Sequence, residues 1–201
     1  MTGTGAAREA VAPEDEARGQ MYALIAKLLS DIPDEQGLKR VSQLHGDPAT
    51  PLGSSLNNLA TAAATVKTEE LSDEFHDLFI GVGRGELLPY GSYYLTGFLH
   101  EKPLAALRET LAALDLQADP QQSEPEDHIA SELEVMSGLI LGSFGEVRGN
   151  AATAFYREHL QVWAHKFFAD LEAAENANFY RHVAVLGRRF LELEEQVMEM
   201  N

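Results

Sequence analysis

The residues best placed to do chemistry lie in QQSEPEDHIASELEVM, residues 121–136, where Glu124, Glu126 and Asp127 crowd around His128 ahead of an amphipathic stretch. A histidine beside carboxylates titrates near neutrality and can move protons, so one reading is an acid–base site. Nothing else in the chain completes it: there is no G-x-S-x-G elbow and no accompanying phosphate pocket. The other reading is local. Ser123 and Glu126 have the S-x-x-E spacing of a capping box, acids favour a helix N-terminus, and His128 can meet Glu132 one turn on. Residue chemistry alone leaves both readings open.

Other chemical readings are weaker. GVGRGE, residues 81–86, lacks the G-x-G-x-x-G register, follows a helical pattern and offers no Lys-Ser or Lys-Thr, so it reads as a turn. Of the seven histidines, none stands three residues after a Glu and no H-E-x-x-H occurs. His159 and His165 fall about 240° apart around a helix, and Asp73 with His76 reads as a surface contact. We expect no metal and no cofactor. The absence of cysteine excludes disulfides, thiol nucleophiles and thiolate metal sites.

Fifteen Lys and Arg against thirty-two Asp and Glu give a formal charge of −17. Such a surface repels nucleic acid and anionic membranes and favours a cationic partner. The first residues have neither a basic n-region nor an apolar h-region, and no apolar run reaches membrane-spanning length. The expectation is a cytoplasmic protein with no stable membrane insertion.

The elements that must position these residues read as helices throughout. Apolar residues recur at helical spacing from Pro13 to Asp31, in a short stretch near Leu38, and from Leu52 to Val66. They recur again from Thr68 to Gly81, behind Pro103, from Ile129 to Ile140, from Asn150 to Ala174 and from Phe179 onward. The last helix should bury Phe179, Val183, Leu186, Phe190, Leu193 and Val197. No segment sustains a period of two. The expected fold is all-α: a single-domain bundle of about eight helices, residues 13–201, preceded by a disordered stretch at 1–12. A long structured loop, 81–97, rich in Gly and aromatics, leads into a short helical or extended piece.

EPEDHIASELEVMSGLI resembles the E-P-x-D-H signature of the TorD/DmsD/NarJ family of redox-enzyme maturation chaperones. EFHDLFIGVGRGELLPYGSYYLTG resembles the family's second marker, an L-F segment leading to P-Y-x-S-x-Y. The two stand in the family's order and separation, and the resemblance covers roughly residues 15–195. Gly91 stands between Tyr90 and Ser92 where other members carry an aromatic or proline, which suggests a smaller or looser groove.

The resemblance implies a cytoplasmic, non-enzymatic chaperone. It would bind the twin-arginine signal peptide, or N-terminal remnant, of a molybdopterin-dependent oxidoreductase subunit and hold it from export until the cofactor is loaded. The peptide-binding residues implied are Glu124, Pro125, Glu126, Asp127 and His128 in one marker, and Leu88, Pro89, Tyr90, Ser92 and Tyr93 in the other. Acids from the first would meet the arginines, while Leu87, Leu88, Tyr90, Tyr93 and Tyr94 would line or cover the apolar part. Members occur as monomers or domain-swapped dimers. The alternative reading is a helical protein that binds or hydrolyses guanine nucleotide.

Overall fold

The computed structural model describes residues 11–117, 124–144 and 150–200. Ten helices run through them in chain order: α1 (Pro13–Ser30), α2 (Glu35–Ser42), α3 (Pro51–Ala63), α4 (Thr68–Phe75), α5 (Gly91–Thr96), α6 (Lys102–Ala113), α7 (Ile129–Ile140), α8 (Ala151–Phe155), α9 (Ala164–Ala173) and α10 (Phe179–Met200). Two of them end in a single π turn: α4 continues through His76–Ile80 and α8 through Tyr156–Leu160. Among the described residues the only extended pairing is one bridge, Tyr90 with His128.

Local chemistry sets the helix starts. Pro13 pre-sets the first turn of α1, and Glu14, Asp15 and Glu16 occupy the turn where the macrodipole favours anions. Asp34 caps α2 by accepting the Gly37 N–H at 2.7 Å, and the Thr50 hydroxyl caps α3 by accepting that of Gly53 at 3.1 Å. The cap of α10 comes from far away in sequence. Glu74 on α4, nearly buried, accepts the N–H groups of Asn178, Phe179 and Tyr180 at 2.8, 3.0 and 2.7 Å. Its carboxylate thus satisfies donors that a helix leaves unpaired at its start.

The buried side chains form one core. Helix α1 lies along α7, and α10 packs on both α3 and α9. Tyr22, Phe155, Tyr156, Phe167, Phe168, Tyr180 and Phe190 are each at most 1% exposed and supply much of its volume. Helices α9 and α10 meet so closely at Gly187 that a Cβ there would stand 2.3 Å from a Phe168 ring carbon. Arg18 on α1 forks onto the fully buried Glu194 of α10 at 2.7 and 2.9 Å. Pairing of this kind is what makes a carboxylate tolerable inside a core.

The all-α expectation holds, with two more helices than the eight read from periodicity. The stretch 150–174 is not one helix but two, broken at Gln161–Trp163, where the Trp163 backbone leaves helical values at φ −145°. The stretch 81–97 expected as a loop is helical over Gly91–Thr96, which form α5, so the short helix lies within the stretch and not after it. Leu193, expected in the core, is 40% exposed, because its neighbour Glu194 takes the inward position to meet Arg18. Of the expected disordered stretch, residues 1–10 lie outside the described residues, and Val11 and Ala12 precede α1. Among the described residues no helix is long and apolar enough to cross a membrane.

Candidate functional site

The two marker segments are clasped to each other. Tyr90, extended at φ −124° and ψ 132°, pairs antiparallel with His128. The Ile129 N–H donates to the Pro89 carbonyl at 2.9 Å, and the Gly91 N–H to the Asp127 carbonyl at 2.8 Å. Asp127 closes the clasp by accepting the Ser92 N–H on Oδ2 at 2.8 Å, which pairs an orphan donor in the first turn of α5. Asp127 is 2% exposed and Ser92 fully buried.

His128 is the N-cap of α7, its Nδ1 accepting the Ala130 N–H at 3.2 Å. That role requires an unprotonated Nδ1, and burial holds the imidazole pKa down to about 4 against the pull of Glu124 and Asp127. The Tyr90 ring stands edge-on to it at 5.3 Å, and the Tyr90 hydroxyl donates to Glu124. Burial, with the Glu124 contact, pushes that phenol up. Glu126 receives the Arg108 guanidinium in a fork at 2.8 to 3.0 Å, a bond that draws its carboxyl below the usual range.

The capping box expected of Ser123 and Glu126 therefore does not start this helix. Ser123 lies outside the described residues, Glu126 bonds Arg108, and the helix begins at Ile129 with His128 as its cap. Nor do His128 and Glu132 meet side chain to side chain. Glu132 turns inward and accepts the Trp163 indole N–H at 3.2 Å, both residues being buried. Burial pushes the Glu132 carboxyl far up, only partly opposed by that hydrogen bond, and nearby Asp127 adds to the rise. A Cβ on Gly91 would stand 3.0 Å from the indole nitrogen and 3.2 Å from Glu132 Oε1, so the missing side chain leaves room for this pair.

Beside the clasp opens a groove of about 300 Å³. Leu95, Pro103, Ala106, Leu107, Val162 and Trp163 supply its apolar walls, and Asp127, Glu132, Glu158 and His159 its polar groups. A second cavity, about 230 Å³, is lined by Tyr90, Ser92, Leu99, His100, Pro125 and Asp127. Leu95, Phe98, Leu99 and Val162 are exposed apolar side chains in the segments that line these openings or adjoin them. The break at Gln161–Trp163 and the π turn before it place Glu158, His159, Val162 and Trp163 together in the wall. Such π turns recur where function distorts a helix.

Of the residues singled out in the sequence, Asp127 lines both cavities, and Tyr90, Ser92 and Pro125 line the second. Leu88, Pro89, Tyr93, Glu124, Glu126 and His128 line neither. Leu87 packs against the core. Tyr93 carries the Arg84 guanidinium over its ring, at 5.3 Å, and a 2.7 Å bond from it on its hydroxyl. Tyr94 backs the Trp163 and Phe167 rings. Sequence reading missed Leu95, Glu132, Glu158, Val162 and Trp163 as groove residues. A carboxylate at 132, inside the apolar stripe of α7, was the one available signal; the break that aims Trp163 has none in the periodicity. The arrangement offers acceptors beside apolar walls, which suits a cation joined to an apolar segment.

Known proteins resemble this chain in sequence and in fold. Residues 46–169, which hold both marker segments, match the family model described as "Nitrate reductase delta subunit". A chaperone protein TorD from Aliivibrio fischeri is 31% identical over 90% of this chain and 94% of its own. A Haemophilus influenzae protein named as the Tat proofreading chaperone DmsD is 33% identical, over 59% of this chain and 57% of its own length. A Vibrio atlanticus TorD is also 33% identical, over 64% of each chain. With these last two, the match spans less than two thirds of the relative. The crystal structure of an Archaeoglobus fulgidus protein described as a redox enzyme maturation protein superposes with a TM-score of 0.58 at 25% identity, covering 92% of this chain and 99% of that one. The chain belongs to the TorD/DmsD/NarJ family of redox-enzyme maturation chaperones.

Proposed function

We propose that this protein is a cytoplasmic chaperone that binds the twin-arginine signal peptide, or its N-terminal remnant, of a molybdopterin-dependent oxidoreductase subunit and delays export until the cofactor is inserted. The observation that carries the reading is the 300 Å³ groove, whose apolar walls stand against Asp127 and Glu158 with no Lys or Arg among its described lining residues. A twin-arginine signal has the complementary chemistry, two guanidinium groups followed by an apolar segment. The protein acts by binding and release, and turns nothing over.

Magnitudes divide the labour. An exposed ion pair contributes about 0.2 to 1 kcal/mol, whereas each ligand Leu or Phe fully buried contributes roughly 1.5 to 3 kcal/mol. A micromolar complex needs about 8 kcal/mol after ordering costs. The apolar segment therefore supplies most of the affinity, and the acids supply register and encounter rate. Titration calorimetry with a synthetic twin-arginine peptide tests this. Binding should survive moderate salt and be lost in Val162→Asp, which puts a charge on the groove wall; equal binding by wild type and Val162→Asp would place the peptide elsewhere.

A further inference from the structure

We propose that Asp127 divides the binding site, so that the two adjacent arginines of the ligand enter separate cavities on either side of it. This rests on the signal-peptide reading and assigns each guanidinium its own pocket. Among the described residues Asp127 alone lines both cavities, and the Ser92 N–H at 2.8 Å holds its carboxylate in place.

Each cavity has its own acceptor. In the larger one Glu158 lines the opening with its side chain 62% exposed, together with the apolar Leu95 and Val162. In the smaller one Ser92 lies in the wall, and its hydroxyl is fully enclosed with no hydrogen-bond partner among the described residues. A buried hydroxyl without a partner is uncommon in folded proteins, and rotation about one bond redirects it toward an entering donor. Tyr90, Leu99 and Pro125 around it offer apolar faces for a planar, weakly hydrated guanidinium. Among the described residues neither cavity has a Lys or Arg in its lining.

The ligand's geometry fits this division. Neighbouring side chains on an extended peptide point to opposite sides. Two adjacent arginines therefore diverge, and two pockets with a shared carboxylate between them receive both while screening their mutual repulsion.

Calorimetry with four peptides differing only at the pair, Arg-Arg, Arg-Lys, Lys-Arg and Lys-Lys, tests the assignment, since lysine keeps the charge but loses the fork. Wild type should prefer Arg-Arg over each single replacement. Ser92→Ala should weaken Arg-Arg by about tenfold and erase the preference at one position, while Glu158→Gln erases it at the other. The Ser92→Ala thermal midpoint should not fall, because the lost hydroxyl has no partner among the described residues. Erasure of the same position by both variants, or of neither, overturns the division. A Lys-Lys peptide that binds wild type as tightly as Arg-Arg overturns it too and leaves signal-peptide binding standing, whereas failure of Arg-Arg to bind wild type sinks both.

Discussion

Asp127 and Ser92, 35 positions apart, are joined by one 2.8 Å hydrogen bond from a backbone N–H to a buried carboxylate. That bond fastens the start of α5 to the segment before α7, and the same carboxylate faces both cavities. Asp127 is thus part of the scaffold and part of the site, and a truncation confuses the two roles.

Paired substitutions separate them. Asp127→Asn keeps an oxygen for the Ser92 N–H but removes the charge, so the thermal midpoint should stay near wild type while twin-arginine peptide binding weakens. Asp127→Ala strands a buried N–H, which costs about 1–3 kcal/mol and lowers the midpoint by about 2–4 °C for each kcal/mol. Thermal unfolding alongside calorimetry reads both. Equal midpoints for the two variants would show that the bond does not hold the clasp.

The clasp should also carry two opposed pH dependences. His128 has a folded pKa of about 4 against an ordinary 6.5, so the unfolded chain binds more protons between those values. Its stabilising contribution is full above pH 6.5 and is lost as pH falls toward 4, by about 3 kcal/mol in all. Glu132 runs the other way. Its folded carboxyl holds the proton above the ordinary range, so stability falls as pH rises past about 4.5 until the buried acid ionises. His128→Asn, which keeps a capping oxygen, should flatten the acid limb of a stability–pH curve. Glu132→Gln should raise the midpoint at pH 8 more than at pH 5. Loss of stability in Glu132→Gln at both pH values alike would show that the acid is ionised and well paired in the fold.

The elements were legible where periodicity and local caps decide them. Pro13 and Pro103 mark helix starts that the structure keeps. What periodicity cannot show is a partner brought from another element. Glu74 reads as one more acid in a charged helix, and only the fold turns it into the cap of α10. Glu194 displaces Leu193 from the core because Arg18 lies opposite. At the site the two marker segments were legible, but their clasp was not. It consists of backbone bonds from Gly91 and Ile129, the Ser92 N–H on Asp127 and an N-cap by His128, none of which depends on residue spacing.

Glu74 leads to a stability prediction away from the groove. Its carboxylate takes three N–H groups at the start of α10, and hydrogen bonds to a charged group contribute about 1.5–3 kcal/mol each. Glu74→Ala should lower the thermal midpoint by several degrees or leave little folded protein, with Glu74→Gln intermediate because an amide oxygen still accepts. Twin-arginine peptide affinity of whatever remains folded should match wild type. A Glu74→Ala midpoint equal to wild type would mean that water caps α10 as well as the carboxylate does.

Arg108 offers a prediction with the opposite sign. It is exposed, and its fork occupies Glu126, next to Asp127 in sequence and close to groove residues Ala106 and Leu107. An exposed pair of this kind contributes about 0.2–1 kcal/mol, so Arg108→Ala should barely move the midpoint. It also frees an acid and removes a cation beside the site. The association rate for a cationic peptide should therefore rise, most at low salt, and the gain should shrink as ionic strength increases. Stopped-flow association at two salt concentrations measures it. A slower rate in Arg108→Ala would mean that the arginine contacts the ligand or shapes the groove, because removing a cation cannot slow a cationic peptide through charge alone.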